Sequence, residues 1–309
     1  MSPSPRCVMA GPTPLTVVYS PLAVADAASF SPSASKPAAV IADWTAHGLP
    51  LRVVPPEAAS VEELALAHDR AYVEDILAGR RANGFGNVRA DVAASLPFTT
   101  GALLTAARLA LADGGAVCAP VSGFHHAGWD DAYGFCSFNG LVVTARSLWE
   151  AGLVRRTAIL DCDQHYGDGT DAILARLDGP AWLYHFTAGR EYERPSQVPA
   201  FFERLAREID AVSACDLVLY QAGADPHVDD PLGGWLTTEQ LRTRDAFVFE
   251  GLRARGVPVV WNLAGGYQRD ASGGIAPVLE IHRNTAHEHL RVFGQSREAG
   301  ARAADGARP

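Results

Sequence analysis

The stretch TAILDCDQHYGDGT, residues 157–170, joins a short apolar run to a polar loop that contains two glycines. The loop carries Asp161, Asp163, His165 and Asp168 within eight positions. An apolar run this short, bounded by glycines, is typical of a buried strand in a parallel sheet. Ligands of open parallel sheets bind beyond the carboxyl ends of the strands. The stretch therefore predicts both the fold class and the place of a functional site.

The same alternation of strand and helix patterns continues through the chain. The other strand candidates are LTVVY, AVCAPV, AWLYHF, DLVLYQ and VPVVWNLAG, and helical periodicity recurs near 61–78, 139–151, 168–178, 198–211, 237–255 and 272–292. This order predicts an α/β fold with a central, mostly parallel sheet and helices on both faces. Without an internal repeat or linker, one domain over residues 15–294 is expected. Residues 1–14 and 295–309 are rich in Pro, Ser, Gly, Ala and Arg, which predicts mobile tails.

The composition of the chain narrows the function classes. Of its 309 residues 48% are hydrophobic, and the five cysteines include no CxxC pair, which favours a reducing cytoplasm over a disulfide framework or cysteine zinc site. No signal peptide and no run apolar enough to span a bilayer is recognised, so neither export nor a membrane anchor is expected. The net charge of −9 disfavours nucleic acid as a partner but suits a cationic substrate. The oligomeric state is left open.

Four strand candidates deliver chemically active residues to one edge of the predicted sheet. These residues are His125 and His126 after AVCAPV, the acidic and histidine group after TAILD, Asp225 after DLVLYQ, and Tyr267 after VPVVWNLA. Strand alternation would point Asp161, Asp163 and His165 to one side if the extended geometry continued past Asp161. For any one residue, a helix cap or a turn is the simpler role. Agreement among four strand ends favours a site.

A metal site is the simplest use of these groups. Asp163, His165 and Asp225 supply two carboxylates and an imidazole, a set suited to catalytic zinc or iron, because three protein ligands leave positions open for water and substrate. The adjacent His125 and His126 suit general acid–base work near neutral pH.

Three further residues have candidate roles near the metal. Asp161 and Asp168 are candidates to fix the tautomers of the two imidazoles. Tyr267 follows two glycines and could present its hydroxyl to a developing oxyanion.

Longer motifs carry a family resemblance. GFHHAGWDDAYGFCSFN (123–139), ILDCDQHYGDGT (159–170), QAGADPHVDDPLGG (221–234) and AGGYQRD (264–270) occur in this order, and together they resemble the histone deacetylase superfamily of zinc-dependent deacylases. The resemblance covers nearly the whole chain between the tails and implies a three-layer, arginase/deacetylase-like fold. SGFHH and GGYQRD are closest to class IV enzymes and their bacterial relatives, whereas DDPLGG is also similar to acetylpolyamine amidohydrolases.

The resemblance assigns the catalytic roles. It implies Zn²⁺ on the three ligands named above, with Fe²⁺ as an alternative. It makes His126 the general base and then acid, assisted electrostatically by His125. By the same resemblance Asp161 pairs with His125, Asp168 pairs with His126, and the hydroxyl of Tyr267 binds the substrate carbonyl oxygen.

The resemblance also assigns the substrate tunnel. Its lining is expected from Gly134, Phe135, Tyr192 and Gly265, with Phe135 and Tyr192 as opposite aromatic walls. A structural K⁺ or Na⁺ is implied near the strand end at Asp161. Val88 stands near the point where class I relatives carry an acidic rim residue, so recognition of a peptide backbone is not implied.

The resulting prediction is hydrolysis of ε-acylated lysine, with acylated polyamine as the alternative substrate. A binuclear ureohydrolase shares the wider fold, but the histidine pair and the GGY motif argue against it. A catalytically silent binder of acylated lysine is the alternative of another class, and the presence of every expected catalytic group disfavours it. His282, His287 and His289, near the last helix, are expected on the surface.

Overall fold

Residues 13–294 are described in the computed structural model of the protein. The predicted tails lie outside this range except for Thr13 and Pro14, so they stay predictions. The two ends of the described chain meet, since the amide of Thr13 donates to the carbonyl of Gly294 at 2.9 Å.

Seven parallel strands form the central sheet. They are β1 (Leu15–Val18), β2 (Leu51–Val54), β3 (Ala116–Ala119), β4 (Thr157–Asp161), β5 (Leu183–Thr187), β6 (Leu217–Gln221) and β7 (Val259–Asn262). Their order across the sheet is β2-β1-β3-β7-β6-β4-β5, and every pairing is parallel. The predicted α/β fold is confirmed.

Helices cover both faces of the sheet. They are α1 (Lys36–Ala46), α2 (Val61–Leu64), α3 (Arg70–Leu77), α4 (Ala90–Asp113), α5 (Gly140–Glu150), α6 (Asp168–Arg176), α7 (Val198–Ala211), α8 (Thr238–Ala254) and α9 (Ala276–Phe293). Helices α2 to α6 share one hydrophobic core with the sheet, and α1 with α7 to α9 share the other. Within β4, Ile159 faces the first core, whereas Ala158 and Leu160 face the second. Burial on both faces explains the unbroken apolar runs of the central strands.

Some elements were not recognised from the sequence. The stretch 61–78 is two helices, because Asp69 caps α3 by accepting a hydrogen bond from the amide of Tyr72 at 3.0 Å. Helix α1 and the half-exposed edge strand β2 were missed. Neither α1, which follows a Pro- and Ser-rich stretch, nor the four-residue β2 has a strong periodic pattern.

Helix α4 corrects the expectation that no run is apolar enough to span a bilayer. It reaches that length and composition, although it contains Pro97. Most of α4 is buried, and it packs along β1, β3, β6 and β7 and against α5. The apolar side chains of α4 therefore pack in the core beside the sheet.

The strand order determines where the loops meet. Strands β3, β7, β6 and β4 are neighbours at the centre of the sheet, and they are the strands whose ends carry the predicted site residues. Since all four are parallel, their carboxyl ends lie at one edge. The four loops therefore converge over the middle of the sheet.

Candidate active site

Two carboxylates and one imidazole come together above β4 and β6. Ligand atoms of Asp163, His165 and Asp225 all lie within 4.8 Å of one another. His165 Nδ1 is 3.2 Å from Asp163 Oδ1 and 3.0 Å from Asp225 Oδ2. Both carboxylates are buried, and the imidazole is partly exposed. This donor set fits a divalent cation of the zinc or iron type, with room for further ligands.

Loop hydrogen bonds, not continued strand geometry, bring these residues together. Strand β4 ends at Asp161, so the expected strand alternation does not extend to Asp163 and His165. Instead, the amide of Asp163 donates to Asp161 Oδ1 at 3.1 Å, and the amide of His165 donates to Asp163 Oδ1 at 2.9 Å. Each acidic side chain thus folds the next part of its own loop.

The turn after β7 packs directly against the carboxylates. The amide of Gly265 donates to Asp163 Oδ2 at 2.7 Å, and a Cβ at Gly265 would lie only 2.0 Å from Asp225 Oδ2. Ala264 has φ +45°, a left-handed conformation that costs an L-residue roughly 1–2 kcal/mol. The buried Lys36 holds this turn, since its Nζ donates to the carbonyls of Ala264 at 2.6 Å and Gly265 at 3.2 Å. Nothing in the sequence around Lys36 indicated this role.

The charges at the site favour a bound cation. Burial lowers the pKa of His165, but Asp163 and Asp225 outweigh it and raise that pKa to about 11. Burial and the neighbouring Asp163 raise the pKa of Asp225 to about 7. A proton is therefore held among the three groups in the metal-free protein. A divalent cation can replace that proton, because it neutralises both carboxylates.

The two adjacent histidines have different environments. His125 is buried, and its Nδ1 lies 2.7 Å from Asp161 Oδ2. His126 Nδ1 lies 2.7 Å from Asp168 Oδ1, and its side chain is 14% exposed. The two ring centroids are 4.1 Å apart. Each imidazole thus has its own carboxylate, as the sequence predicted.

The surroundings of the two histidines drive their pKa values apart. Burial lowers the pKa of His125, but Asp161 and Asp163 raise it overall to about 9. Burial and the nearby His125 lower the pKa of His126. At neutral pH His125 is therefore a cation, whereas His126 is neutral and can accept a proton. Such a separation is how paired titratable groups acquire different roles.

A tight turn over residues 133–136 positions the residues beside His126. Gly134 has φ +57° and Phe135 has φ +65°, and the amide of Cys136 donates to the carbonyl of Tyr133 at 2.9 Å. A Cβ at Gly134 would lie 2.5 Å from His126 Cδ2, so only glycine fits there. The left-handed Phe135 is strained, and its amide is held by the carbonyl of Gly84 at 2.9 Å.

Tyr133 joins the site without having been predicted. Its hydroxyl donates to Asp168 Oδ2, the carboxylate whose other oxygen contacts His126. Its ring centroid is 5.1 Å from that of His126, and the residue is 42% exposed. The sequence places Tyr133 next to Gly134 in the DAYGF motif, but that adjacency alone did not indicate a contact with Asp168.

Aromatic rings line the approach to the site. The ring of Tyr267 is 5.6 Å from that of Phe135 and 5.9 Å from that of Phe30. Phe30 and Phe85 flank Phe135 at 5.5 and 5.9 Å. The amide of Tyr267 is fixed by Asp230 Oδ2 at 2.8 Å. Phe135 and Tyr267 are therefore where the sequence placed them, and Phe30 and Phe85 are additions.

Tyr192, by contrast, is not brought to the approach. It is buried in the core of the α7 and α8 layer, where its ring lies 5.4 Å from that of Phe201 and 5.7 Å from that of Trp235. The prediction of Tyr192 as the wall opposite Phe135 is therefore corrected. The loop after β5 turns inward in a short 3₁₀ segment at Ala188–Arg190, which directs Tyr192 into the core.

The site residues line a small cavity. Its lining combines the histidine loop, the metal-binding group and the turn after β7, namely Ser33, Gly123, Phe124, His125, Gly134, Phe135, Cys136, Asp163, Gln221, Ala264, Gly265 and Tyr267. Gly134 and Gly265, the two glycines predicted to contact substrate, both line it. The cavity therefore contacts Asp163 of the metal-binding group, His125 of the histidine pair and the phenol of Tyr267.

Comparison with known proteins assigns this arrangement to a family. The family model of the histone deacetylase domain matches residues 33–183. The chain belongs to the histone deacetylase superfamily. The match includes the residues from His125 to Asp168, whereas Asp225 and Tyr267 follow it in the chain.

Several known proteins are similar to the chain over 46% to 72% of its length. An uncharacterised protein of Picosynechococcus is 32% identical over 246 residues, 72% of this chain and 80% of that one. Histone deacetylase 2 of Arabidopsis thaliana is 26% identical over 58% of this chain and 51% of its own length. The acetylpolyamine amidohydrolase of Mycoplana ramosa is 29% identical over 46% of this chain and 49% of its own length. This chain is therefore a hydrolytic deacetylase.

Proposed function

We propose that the protein is a zinc-dependent amidohydrolase that removes acyl groups from ε-acylated lysine. The observation that carries this proposal is the proximity of three groups, since the ring of His165 lies 5.9 Å from that of His126 and 6.4 Å from that of Tyr267. The three groups are the metal-binding triad of Asp163, His165 and Asp225, the neutral His126 beside a cationic His125, and the hydroxyl of Tyr267.

Zinc is the proposed metal because a partly exposed imidazole and two buried carboxylates match its preferred ligands. When bound, zinc supplies Lewis-acid chemistry, since it polarises a carbonyl and lowers the pKa of water from about 16 to about 7. A K⁺ or Na⁺ ion near Asp161, Asp163 and His165 remains part of the proposal, as does a cytoplasmic location. Four cysteines among residues 13–294 are buried free thiols, which suits a reducing compartment.

His126 is proposed to move the proton. As a neutral imidazole held by Asp168 at 2.7 Å, it takes a proton from the attacking water while oxygen bonds to the acyl carbon. It then returns that proton to the nitrogen as the C–N bond breaks, which releases the amine and a carboxylic acid. The positive charge of His125 stabilises the negative charge that develops nearby.

Tyr267 is proposed to hold the acyl oxygen. Burial raises the pKa of its hydroxyl well above the ordinary value, so the group stays protonated and can donate a hydrogen bond. Its backbone is fixed by Asp230 and its ring by Phe135 and Phe30. A donor fixed before the reaction stabilises a developing oxyanion without reorganisation.

The approach to the site favours a lysine side chain. Its aromatic walls, Phe30, Phe135 and Tyr267, can pack against an aliphatic stem. Val88, which by the family resemblance stands near the acidic rim residue of class I relatives, is exposed and uncharged, and Asp91 is engaged by Arg89 at 2.9 Å. Acylated polyamine is the second candidate, because several relatives are named acetylpolyamine amidohydrolase.

A second cavity bears on the length of the acyl group. It lies between α4 and the histidine loop, has only about 20 Å³ of free volume, and shares Ser33, Gly123, Phe124 and Phe135 with the first cavity. Its lining is largely apolar. We propose acetyl or longer acyl groups as substrates, and a longer chain would enter this space only if the side chains that line it moved apart.

The test is hydrolysis across one substrate panel by the zinc-loaded protein. The panel contains ε-acyl-lysine peptides from acetyl to long fatty acyl, with acetylated putrescine and spermidine. Turnover of acyl-lysine that is lost in Tyr267→Phe supports the proposal. Turnover confined to the polyamines would move the assignment to acetylpolyamine amidohydrolase, and stoichiometric zinc without turnover of any substrate would contradict both.

A further inference from the structure

A buried ion pair lies in α8 beneath the site, and the proposed reaction does not use it. Arg244 and Asp245 are both fully buried. Arg244 Nε donates to Asp245 Oδ1 at 2.9 Å, and Arg244 Nη2 lies 2.8 Å from the same oxygen. Burying two charges is costly even when they are paired. The pair is therefore not explained by stability alone.

The carboxylate of the pair is fixed by neighbours on two other elements. The hydroxyl of Tyr220 in β6 donates to Asp245 Oδ1, and the hydroxyl of Thr285 in α9 donates to Asp245 Oδ2, each at 2.5 Å. Each oxygen thus has its own donor, which prevents rotation of the carboxylate. As a consequence, the guanidinium of Arg244, which contacts this carboxylate, is also held in place.

The guanidinium then links the two loops that carry the metal-binding carboxylates. Arg244 Nη1 donates to the carbonyl of Cys162 at 3.1 Å and to the carbonyl of Gly223 at 2.8 Å. Cys162 immediately precedes Asp163, and Gly223 lies two residues before Asp225. A single nitrogen atom therefore contacts the peptide groups next to both carboxylates.

The two loops are already close at this point. The amide of Cys162 donates to the carbonyl of Gln221 at 3.1 Å. A Cβ at Gly223 would lie 3.0 Å from the Cα of Asp163. Arg244 contacts both loops through backbone carbonyls rather than through the side chains of Asp163 and Asp225. It can thus set the separation of the loops without touching a ligand oxygen.

We propose that Arg244, held by Asp245, is a positioning residue that fixes the spacing between the carboxylates of Asp163 and Asp225 for metal binding. This inference rests on the proposed function, since it presumes that these residues bind zinc. A planar guanidinium suits the task, because it presents several donors in a fixed arrangement. Mutation of a group that orients metal ligands without binding the metal typically lowers metal affinity about 10- to 100-fold.

The test replaces the pair without leaving a buried charge. Arg244→Met combined with Asp245→Asn keeps the approximate volume, and the asparagine amide can accept from one of the hydroxyls of Tyr220 and Thr285 and donate to the other. We expect zinc affinity, measured by competition with a chromophoric chelator, to fall on the order of 10- to 100-fold. The melting temperature of the metal-free variant should stay close to that of the original protein, because replacing a buried ion pair with uncharged groups is often neutral.

The matched control is an ion pair away from the site. Arg283 Nη1 lies 2.7 Å from Asp43 Oδ1 and joins α9 to α1. Arg283→Met combined with Asp43→Asn removes a comparable pair. We expect its zinc affinity to equal that of the original protein.

The outcomes separate this inference from the proposed function. Unchanged zinc affinity in the folded α8 double variant would overturn the positioning role, while failure of the original protein to bind zinc would overturn the proposed function itself. If the double variant does not fold, Arg244→Lys decides, because lysine keeps the charge but has a different donor geometry. Zinc binding weakened about threefold or more in Arg244→Lys supports the role, and unchanged binding overturns it.

Discussion

Replacing Gly265 by alanine tests how closely the turn after β7 approaches the metal-binding carboxylates. The added Cβ would lie 2.0 Å from Asp225 Oδ2 and 2.9 Å from Asp163 Oδ2, whereas real Cβ contacts are essentially never below 3.0 Å. Asp225 is fully buried, so its carboxylate or the turn must move by about 1 Å. The backbone itself tolerates alanine, because Gly265 is not among the residues with positive φ.

The expected cost of Gly265→Ala follows from this displacement. A shift of about 1 Å at a reacting site can lower the rate about 100-fold, and overpacking costs roughly 1–3 kcal/mol of stability. We expect kcat/KM for an acetyl-lysine peptide to fall on the order of 100-fold and zinc affinity on the order of 10-fold or more. Steady-state kinetics, chelator competition and thermal unfolding measure the three quantities.

The matched control for this substitution is Gly115→Ala. Gly115 lies before β3, where a Cβ meets nothing within 4 Å, and its φ is not positive. We expect unchanged zinc affinity and activity in this variant. If Gly265→Ala kept the zinc affinity and activity of the original protein, the close approach of Gly265 to Asp225 would be refuted.

Three further outcomes are expected. Tyr267→Phe should lower kcat on the order of 100- to 1,000-fold with little effect on zinc affinity, because it removes only the oxyanion donor; near-original kcat would exclude that role. Tyr133→Phe should lower kcat about 3- to 10-fold with KM little changed, because it removes the hydrogen bond to the Asp168 carboxylate that orients the general base. Tyr184→Phe is the control: it removes a similar hydrogen bond to a carboxylate remote from the site and should leave kcat unchanged. Zinc affinity should rise at least tenfold per pH unit between pH 6 and 8, because zinc must displace the proton of His165, whose pKa is raised to about 11, and below about pH 7 also the proton of Asp225; a pH-independent affinity would contradict this.

The parts of the fold that could be predicted are those with a strong periodic signal. The sequences of the buried strands β4, β6 and β7 are apolar runs that end in glycine and polar residues. Because the carboxyl ends of parallel strands lie at one edge of a sheet, the convergence of their loops could be predicted. The pairing of His125 with Asp161 and of His126 with Asp168 followed from the family resemblance and is present at 2.7 Å in both cases.

The parts that could not be predicted depend on long-range packing. Lys36 contacts the turn at Ala264 across more than 200 residues, a proximity that no local pattern indicates. Tyr192 was misplaced because an aromatic side chain in a loop can face the cleft or the core, and only the inward turn after β5 decides between them. His282 and His289 were expected on the surface, but both are buried in α9, where they face the sheet-side core.

The most direct test of the central claim is a zinc titration of acetyl-lysine peptide hydrolysis. The metal-free protein, its zinc-loaded form and the Asp225→Asn variant would be compared at equal concentration. We expect negligible turnover without metal, activity that saturates at one zinc per chain, and strongly weakened zinc binding in the variant. Full turnover by the metal-free protein, or zinc-dependent turnover that is unchanged in Asp225→Asn, would contradict the central claim.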